Sequence, residues 1–466
     1  MRQFTIFMTA ALLFSAGLVS GSPSGQTILD MGAKADGKTV NTKIIQKAID
    51  EASANGGGTV IIPSGTFKTG TLYMKDNVEL HLMMGAVLKG SSDHGDYPIN
   101  EPQTYRSHTE KYSKRALIFA EDVSNIAITG FGTIDGNSHA ENFFEGDILD
   151  NKPVGLKFIS CKKITVKDVS MRNARLWMQH YLNCEDVNID NIKVYNHGHH
   201  TNDGLNIDGC REVRVSNSNI DSHDDGIALK STGYAACEGI TITNCVVRSH
   251  CHGIKMGTES VGGFKRIAIS NMFIMSSKVK HRTMNIEDVP VITAIALQIT
   301  DGGTMEDISV NNIVAKNVFA PIFIKLGNRA RKHTEEAVDP PVGSIKNIII
   351  SNLQATSAGP FSSSITGFPG HYVENVTLQN IRIHHIGGGT KDEIMQEIPE
   401  NETNYPEITM FGNNWKTGPR LPSYGFFIRH VKNITLDNVQ VELMNDDERV
   451  PIFTEDVHGL VERPSS

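Results

Sequence analysis

Three short phrases carry the residues of this chain that are best suited to chemistry. They are DGLNID from Asp203, DGIALK from Asp225 and HGIKMG from His252, and their first residues lie 22 and 27 positions apart. A period of this length is typical of one coil of a stacked repeat, in which equivalent positions lie above one another about 4.8 Å apart. We therefore predict that these three residues form a column, with Asp224 beside it.

Crowded carboxyl groups resist ionising together, which raises the pKa of one of them and keeps a proton on it. A protonated and an ionised carboxyl group side by side are what general acid–base catalysis requires. A single Asp-Gly is usually only a turn, and a calcium site would also gather carboxylates. Because four polar residues share the phase of the repeat, the pattern favours a catalytic site.

A second ladder supports the stacking. Eight asparagines each follow an aliphatic residue by four positions, and these aliphatic anchors recur at intervals of 26 to 58 residues. The pairs are Val187 and Asn191, Val213 and Asn217, Ile240 and Asn244, Ile267 and Asn271, Ile308 and Asn312, Ile348 and Asn352, Val376 and Asn380, and Ile434 and Asn438. Runs such as VNIDNIKV alternate with period two, which indicates short strands, and asparagine tolerates left-handed turns and can bond its own backbone. The sequence predicts an all-β chain folded as a right-handed parallel β-helix.

One helix is expected, near the start of this solenoid. Apolar residues recur at helical spacing between Asn41 and Asn55, with Asn41 or Thr42 as N-cap and three glycines from Gly56 ending the helix. Such an amphipathic helix would cap the open end of the β-helix. Because a solenoid grows in one dimension, we expect residues 23–466 to form a single catalytic domain.

The first residues predict export. Arg2 precedes an apolar stretch from Phe4 to Val19, followed by small residues, which is typical of a secretory signal peptide over residues 1–22. A membrane anchor is the alternative, but the stretch is short. With a formal net charge of −8 and no basic stripe, nucleic acid and membranes are poor candidates as partners. We expect a secreted or periplasmic monomer.

Four cysteines occupy one phase of the repeat: Cys161, Cys184, Cys210 and Cys237. Neighbours in such a ladder would be close enough for a disulfide, and an extracellular compartment would permit one. Their low density for this length favours buried reduced thiols instead. Because no CxxC pair occurs, we expect no zinc site of that type, no metal and no cofactor.

Several phrases resemble, in order, the motifs of glycoside hydrolase family 28, the polygalacturonase family. They are DMGAKADGKTVNTKIIQKAIDEA with GGGTVIIPSGTFKTG, then TNDGLNID, DSHDDGIALKS and CHGIKMGTES. The family's Asn-Thr-Asp-Gly has its first two residues transposed here, as Thr201 and Asn202. RNARLWMQH resembles a family segment that places Trp177 one coil before Asp203.

The resemblance implies an inverting hydrolase of α-glycosidic bonds in pectic poly- or oligosaccharides that needs no cofactor. It implies that Asp224 is the general acid, that Asp203 and Asp225 hold and activate the attacking water, and that His252 tunes the acid and contacts the sugar. Stacking alone puts Asp203 and Asp225 near 5 Å, a separation usual in retaining enzymes. The expectation of inversion therefore comes from the family.

One departure from the family concerns the sugar carboxylate. Polygalacturonases carry Arg-Ile-Lys one coil beyond the histidine motif, and the matching positions here are Ala296, Leu297 and Gln298. The loss of both cations favours a rhamnogalacturonan-type or other mixed pectic backbone, or a neutral α-linked sugar, over plain polygalacturonate.

Other side chains are candidates for binding the substrate. Lys255 should point outwards into the substrate groove. Like Asn206, it lies three residues after the column residue of its coil, a position whose side chain faces outwards. Lys230 and Lys325 are further candidates, although each lysine could equally be a surface residue without a role. Together with Trp177, the residues Asn206, Lys230 and Lys255 form the predicted substrate-binding set.

Three alternatives differ in class. A calcium-dependent pectate lyase shares this architecture and could use Lys230 or Lys255 to abstract a proton, but the motif order opposes it. A pectin esterase would need its own Asp pair with an Arg in a neighbouring coil, which we do not find. A β-helix adhesin would have no reason to gather three aspartates and a histidine.

Long insertions after Ile267 and Ile308 would wall the groove and favour attack at chain ends.

Overall fold

The computed structural model describes residues 26–139, 152–281, 287–357, 359–404, 406 and 419–464. This part of the chain forms a right-handed parallel β-helix, as predicted, and its thirty strands pair in parallel with strands of adjacent coils. The predicted signal peptide lies outside the described residues. No helix among those residues is long and apolar enough to cross a membrane.

The strands of the N-terminal coils are short. They are β1 (Gln26–Thr27), β2 (Asp36–Val40), β3 (Gly58–Ile62), β4 (Gly65–Thr69), β5 (Leu72–Tyr73), β6 (Val78–Leu82), β7 (Ala86–Gly90), β8 (Ala116–Glu121), β9 (Ser124–Thr129) and β10 (Thr133–Asp135). The described residues also form 3₁₀ turns at His94–Asp96, His108–Lys111 and Lys391–Glu393.

The central coils have three separate strands each. They are β11 (Val154–Ile159), β12 (Lys162–Lys167), β13 (Ser170–Arg172), β14 (Gln179–Leu182), β15 (Glu185–Asp190), β16 (Lys193–Asn196), β17 (Leu205–Asp208), β18 (Arg211–Ser216), β19 (Asn219–Ser222) and β20 (Ile227–Ser231). In the later coils the strands merge into longer ones: β21 (Cys237–Ser249), β22 (His252–Ser260), β23 (Gly263–Ser276), β24 (Val291–Ile299), β25 (Thr304–Leu326), β26 (Ser344–Ser357), β27 (Ser363–Thr366), β28 (Val373–His385), β29 (Ser423–Leu443) and β30 (Val450–Arg463).

The predicted helix is present as α1, from Thr42 to Ala54, with Asn41 as its N-cap residue. Its apolar face buries Ile45, Ala48 and Ile49, which join the core of the solenoid. The helix packs against β3, β5 and β6, so it covers the first coils as expected of a cap.

The register confirms the predicted ladder of aliphatic anchors. Val213 pairs with Val187 and Ile240, and the series continues without a missing coil to Ile434. Val376 and Ile434 pair directly, so the interval of 58 residues is one coil with a long insertion. All eight anchors are buried, so this column of aliphatic side chains is part of the hydrophobic core along the solenoid.

The eight asparagines adopt the predicted left-handed conformation, although six of them lie inside the long strands of the later coils and only Asn191 and Asn217 lie between strands. Each has a φ between 53° and 57°, the left-handed region that asparagine tolerates. Five of their amides donate to the preceding asparagine of the ladder, whereas those of Asn191 and Asn217 donate to Asp168 and Asp190. Asn271, for example, donates to Asn244 at 3.2 Å, and Asn312 donates to Asn271 at 2.6 Å.

The cysteine ladder contains free thiols. Cys161, Cys184, Cys210 and Cys237 are all buried and unbridged in the described part of the chain. The backbone N–H of Cys184 donates to Cys210 Sγ at 3.3 Å. These thiols therefore pack in the core as small apolar side chains that can also accept a weak hydrogen bond.

Candidate active site

The three repeated phrases lie on one face of the β-helix, formed by β14, β17, β20, β22 and β24. Leu205 pairs with Ile227, and Ile227 pairs with Ile254, which aligns the residues two positions earlier in successive coils. Those residues are Asp203, Asp225 and His252. The predicted column is therefore present, and the N–H of Met178 bonded to the carbonyl of Asp203 places Trp177 one coil before it.

Close contact between coils explains the glycine after each of these polar residues. A Cβ at Gly204 would lie 2.7 Å from the carbonyl oxygen of Gly226, and one at Gly226 would lie 2.8 Å from that of Gly253. Both distances are shorter than a carbon atom can approach an oxygen. Stacking of the coils thus requires glycine after each of these polar residues. The close approach that glycine permits keeps the polar side chains of adjacent coils in one column.

The three carboxylates form one cluster. Asp203, Asp224 and Asp225 each bring an oxygen within 4.8 Å of the others. Asp203 and Asp225 are buried, and Asp224 is half-buried. The backbone N–H of Asp225 donates to Asp224 Oδ1 at 3.0 Å. The Ser249 hydroxyl donates to the carbonyl of Asp224 at 2.6 Å, which fixes the turn that presents it.

The environment separates the three carboxyl groups by pKa. Burial, and then the charges of Asp203 and Asp225, raise the pKa of Asp224 well above its usual range. Burial also raises the pKa of Asp203 to about 6, against the opposing charge of Lys230. At Asp225 burial acts in the same direction but is outweighed by Lys255, His252 and Lys230, so its pKa is lowered. The cluster can hold a proton on one carboxyl group beside an ionised one.

Two predicted lysines bond directly to the cluster. Lys230 Nζ lies 3.1 Å from Asp203 Oδ2, and Lys255 Nζ lies 3.0 Å from Asp225 Oδ2. Lys230 also lies over the ring of Trp177, 4.3 Å from its centroid. Only 5% of Trp177 is exposed, and its ring also packs against His180 and Tyr112, whose ring centroids are 5.0 and 5.7 Å away.

His252 has a ring nitrogen within 4.8 Å of an Asp225 oxygen, whereas Asn206 and Lys325 bond backbone carbonyls. Asn206 is in register with Ala228 and, through it, with Lys255, and its amide donates to the carbonyl of Gln179 at 3.4 Å. Lys325 donates instead to the carbonyls of Gly367 and Glu400, at 3.2 and 2.9 Å. Lys325 is therefore occupied by backbone groups, and the proposal that it reaches the sugar loses support.

Four charged residues beside the cluster were not predicted. Arg331 bonds Glu259 at 3.0 Å and Asp301 at 3.2 Å, and Arg329 bonds Asp301 at 2.6 Å. Lys230, Arg331 and Arg329 together outweigh burial and hold the pKa of Glu259 well below its usual range. Both arginines come from the insertion after Ile308, so this insertion contacts Glu259 and Asp301. The segment GNRARKH lies in an insertion and matches no position of the repeat. Its high content of basic residues was therefore the only sequence feature that could have indicated a place beside the carboxylates.

Comparison with known proteins identifies relatives. The family model described as "Glycosyl hydrolases family 28" matches residues 53–404. A probable polygalacturonase of Vitis vinifera is 29% identical over 231 residues, which cover 47% of each chain. The matched stretch spans about half or less of each of the first curated relatives.

Two solved structures are similar to this chain over most of its length. The family 28 exopolygalacturonase of Yersinia enterocolitica superposes with a TM-score of 0.70 at 19% identity, covering 94% of this chain and 78% of that one. The hyperthermoactive exopolygalacturonase of Thermotoga maritima gives a TM-score of 0.66 at 22% identity, covering 90% and 91%. At these identities the likeness establishes the parallel β-helix fold.

Proposed function

The chain belongs to glycosyl hydrolases family 28, and from this premise we propose that it hydrolyses α-glycosidic bonds in a pectic backbone containing galacturonic acid. The observation that carries the proposal is the cluster of Asp203, Asp224 and Asp225, whose oxygens lie within 4.8 Å and whose pKa values are pushed apart. Names of relatives such as polygalacturonase support a pectic substrate.

Asp224 is the proposed general acid. It is the most accessible of the three carboxyl groups, and burial beside two other carboxylates favours its protonated form. Protonating the glycosidic oxygen lets the leaving sugar depart as an alcohol, and the proton comes from the Asp224 carboxyl group. The N–H of Asp225 donates to the Asp224 carboxyl group, and the Ser249 hydroxyl holds the backbone carbonyl of Asp224, so both orient this residue before substrate binds.

Asp203 and Asp225 are proposed to hold and deprotonate the attacking water. Asp225 is kept ionised by Lys255, and Asp203 is ionised above its pKa of about 6. His252, directly beside Asp225 in the column, would contact the sugar at the reacting centre. An oxygen separation within 4.8 Å is shorter than the roughly 6.5–9.5 Å between the carboxyl groups of inverting pairs. Inversion is proposed from family membership.

The charges around the cluster support a modified pectic substrate. Each of four cations already has a carboxylate partner within 3.1 Å: Lys230 with Asp203, Lys255 with Asp225, Arg331 with Glu259 and Arg329 with Asp301. A galacturonate carboxylate would have to compete with these pairs. We therefore propose weak action on plain polygalacturonate and better action on a rhamnogalacturonan-type backbone, from chain ends because the insertion carrying Arg331 borders the groove.

The test is a panel of polygalacturonate, rhamnogalacturonan and esterified pectin, followed by reducing-sugar release and absorbance of unsaturated products. Hydrolysis gives reducing ends without that absorbance, and calcium added to chelator-treated enzyme should not increase the rate. Calcium-dependent formation of unsaturated uronides would contradict the proposal and identify a lyase. Binding without cleavage would instead indicate an adhesin. Proton NMR of the first product distinguishes inversion from retention.

Export and a single domain complete the proposal. We propose that residues 1–22 are removed on secretion and that residues 23–466 form one catalytic domain. The mass of the mature protein recovered outside the cytoplasm tests the first point. A single unfolding transition, with activity lost in the same transition, is expected for the second.

A further inference from the structure

A second ladder of side chains stands beside the catalytic column and takes no part in the chemistry described above. Ser222 pairs with Asn196 and with Ser249, so His197, His223 and His250, which follow them, occupy one position in three successive coils. His281, after β23, packs on this ladder. Its ring centroid is 4.8 Å from that of His223 and 5.0 Å from that of His250.

Three of these histidines converge. His223, His250 and His281 each have one ring nitrogen that lies within 4.8 Å of a ring nitrogen of the other two. Zinc bound by imidazole at 2.0–2.1 Å would need nitrogens about 3.4 Å apart, a contraction within reach of side-chain rotation. Three imidazoles on separate coils that face one another in this way match the histidine set of a tetrahedral transition-metal site.

His250 supplies an independent observation. It is 4% exposed, and neither of its ring nitrogens forms a hydrogen bond within ordinary limits among the described residues. The backbone of Val279 is the group that contacts it, more loosely than a regular hydrogen bond. An imidazole buried without good partners is costly, whereas a metal ligand commonly directs its second nitrogen to a backbone carbonyl. Coordination would satisfy His250 on both sides.

The neighbouring residues favour this cluster over the carboxylates as a transition-metal site. Asp225 and Asp203 are each bonded to a lysine ammonium, which opposes a second cation there. At the histidine ladder Asp221 is bonded to His197 at 2.8 Å, so that carboxylate is engaged by a histidine outside the converging three. Neutral imidazole nitrogens bind zinc and similar divalent ions in preference to calcium or magnesium.

We propose that His223, His250 and His281 bind one divalent transition-metal ion, with zinc as the expected ion, and that its role is structural. The ion would join the turn that presents Asp224, the turn that presents His252 and the segment that follows β23. This departs from the sequence-based expectation of a metal-free chain. It does not depend on which polysaccharide the enzyme cleaves.

The test uses the full-length mature protein, stripped with a chelator and returned to metal-free buffer. Calorimetric titration with Zn²⁺ should give one equivalent, and Co²⁺ should develop the visible absorption of a tetrahedral nitrogen site. Zn²⁺ should also raise the melting temperature. His281→Gln and His250→Gln should each weaken Zn²⁺ binding by at least about 10- to 100-fold, the loss caused by removing even an outer partner.

Two controls separate this site from others. His385→Gln changes a histidine that is equally buried but lies in β28, so binding should persist. Asp203→Asn disrupts the carboxylate cluster, and binding should again persist. Failure of the wild-type protein to bind Zn²⁺, unchanged binding by His281→Gln, or loss of binding in Asp203→Asn would each overturn the proposal. If His250→Gln does not fold, the partly exposed His281→Gln decides the question.

Discussion

Lys230 controls the ionisation of Asp203 in a site that otherwise opposes it. The two groups lie 3.1 Å apart and both are buried. Burial and the charge of Asp225 raise the pKa of Asp203 to about 6, while Lys230 and Lys255 lower it. Lys230→Met removes the ammonium and keeps the apolar stem, so the pKa of Asp203 should rise further.

The size of this rise follows from the geometry. Two unit charges 3.1 Å apart interact by about 5 kcal/mol at an effective dielectric constant of about 20. Since one pKa unit corresponds to about 1.4 kcal/mol, this is an upper bound of roughly 4 units. Opposite charges at this range shift carboxyl pKa values by about 1–3 units in proteins, and we expect a shift of that size.

The assay is the dependence of kcat/KM on pH, which reports groups of the free enzyme. If Asp203 must be ionised to activate water, activity of the wild type should fall as the pH drops through about 6, and in Lys230→Met this acidic limb should move upwards. The coupled carboxyl groups titrate together, so the limb describes the cluster. Lys162→Met, which removes an exposed ion pair with Glu185, is the matched control. A lower rate with an unmoved limb would refute the reasoning, because Lys230 would then serve substrate binding alone.

Three further predictions concern catalysis, specificity and stability. Asp224→Asn or Asp203→Asn should lower kcat by at least ~10²-fold with an unchanged circular dichroism spectrum, and near-normal turnover would contradict the assignment. Lys255→Ala should reduce kcat/KM on any pectic substrate by about 10-fold or more, because it removes the charged partner of Asp225. If the enzyme cleaves plain polygalacturonate efficiently and Lys255→Ala leaves that rate unchanged, the inferred specificity of the sugar-carboxylate subsite is wrong. Ile240→Ala removes a fully buried anchor and should cost about 2–5 kcal/mol in urea unfolding, whereas a cost below 1 kcal/mol would mean that the column is not the core.

The repeat made the fold and the column predictable. Because parallel coils fix the register, a phase shared by Asp203, Asp225 and His252 in the sequence becomes a shared position in space. The same arithmetic would have found the histidine ladder, since His197, His223 and His250 recur at intervals of 26 and 27 residues.

The charged surroundings could not be predicted in the same way. Glu259 and Arg331 are 72 positions apart and meet because the insertion after β25 returns to β22. An insertion has no phase in the repeat, so nothing in the sequence states which coil it contacts. Lys230 and Lys255 were found as candidates, but their pairing with particular carboxylates depends on side-chain direction, which spacing alone does not determine.

In the proposed mechanism the lysines distinguish three chemically similar carboxyl groups. Lys230 and Lys255 each follow the column residue of their own coil, and each reaches back to the aspartate of the preceding coil. Asp203 and Asp225 thus receive an ammonium as direct partner, while the lysines lower the pKa of Asp224 less than burial, Asp203 and Asp225 raise it. The proposed mechanism therefore keeps the proton on Asp224, the least buried of the three carboxyl groups. In this proposal the division between acid and base follows from where the cations lie in the repeat, because the carboxyl groups are chemically identical.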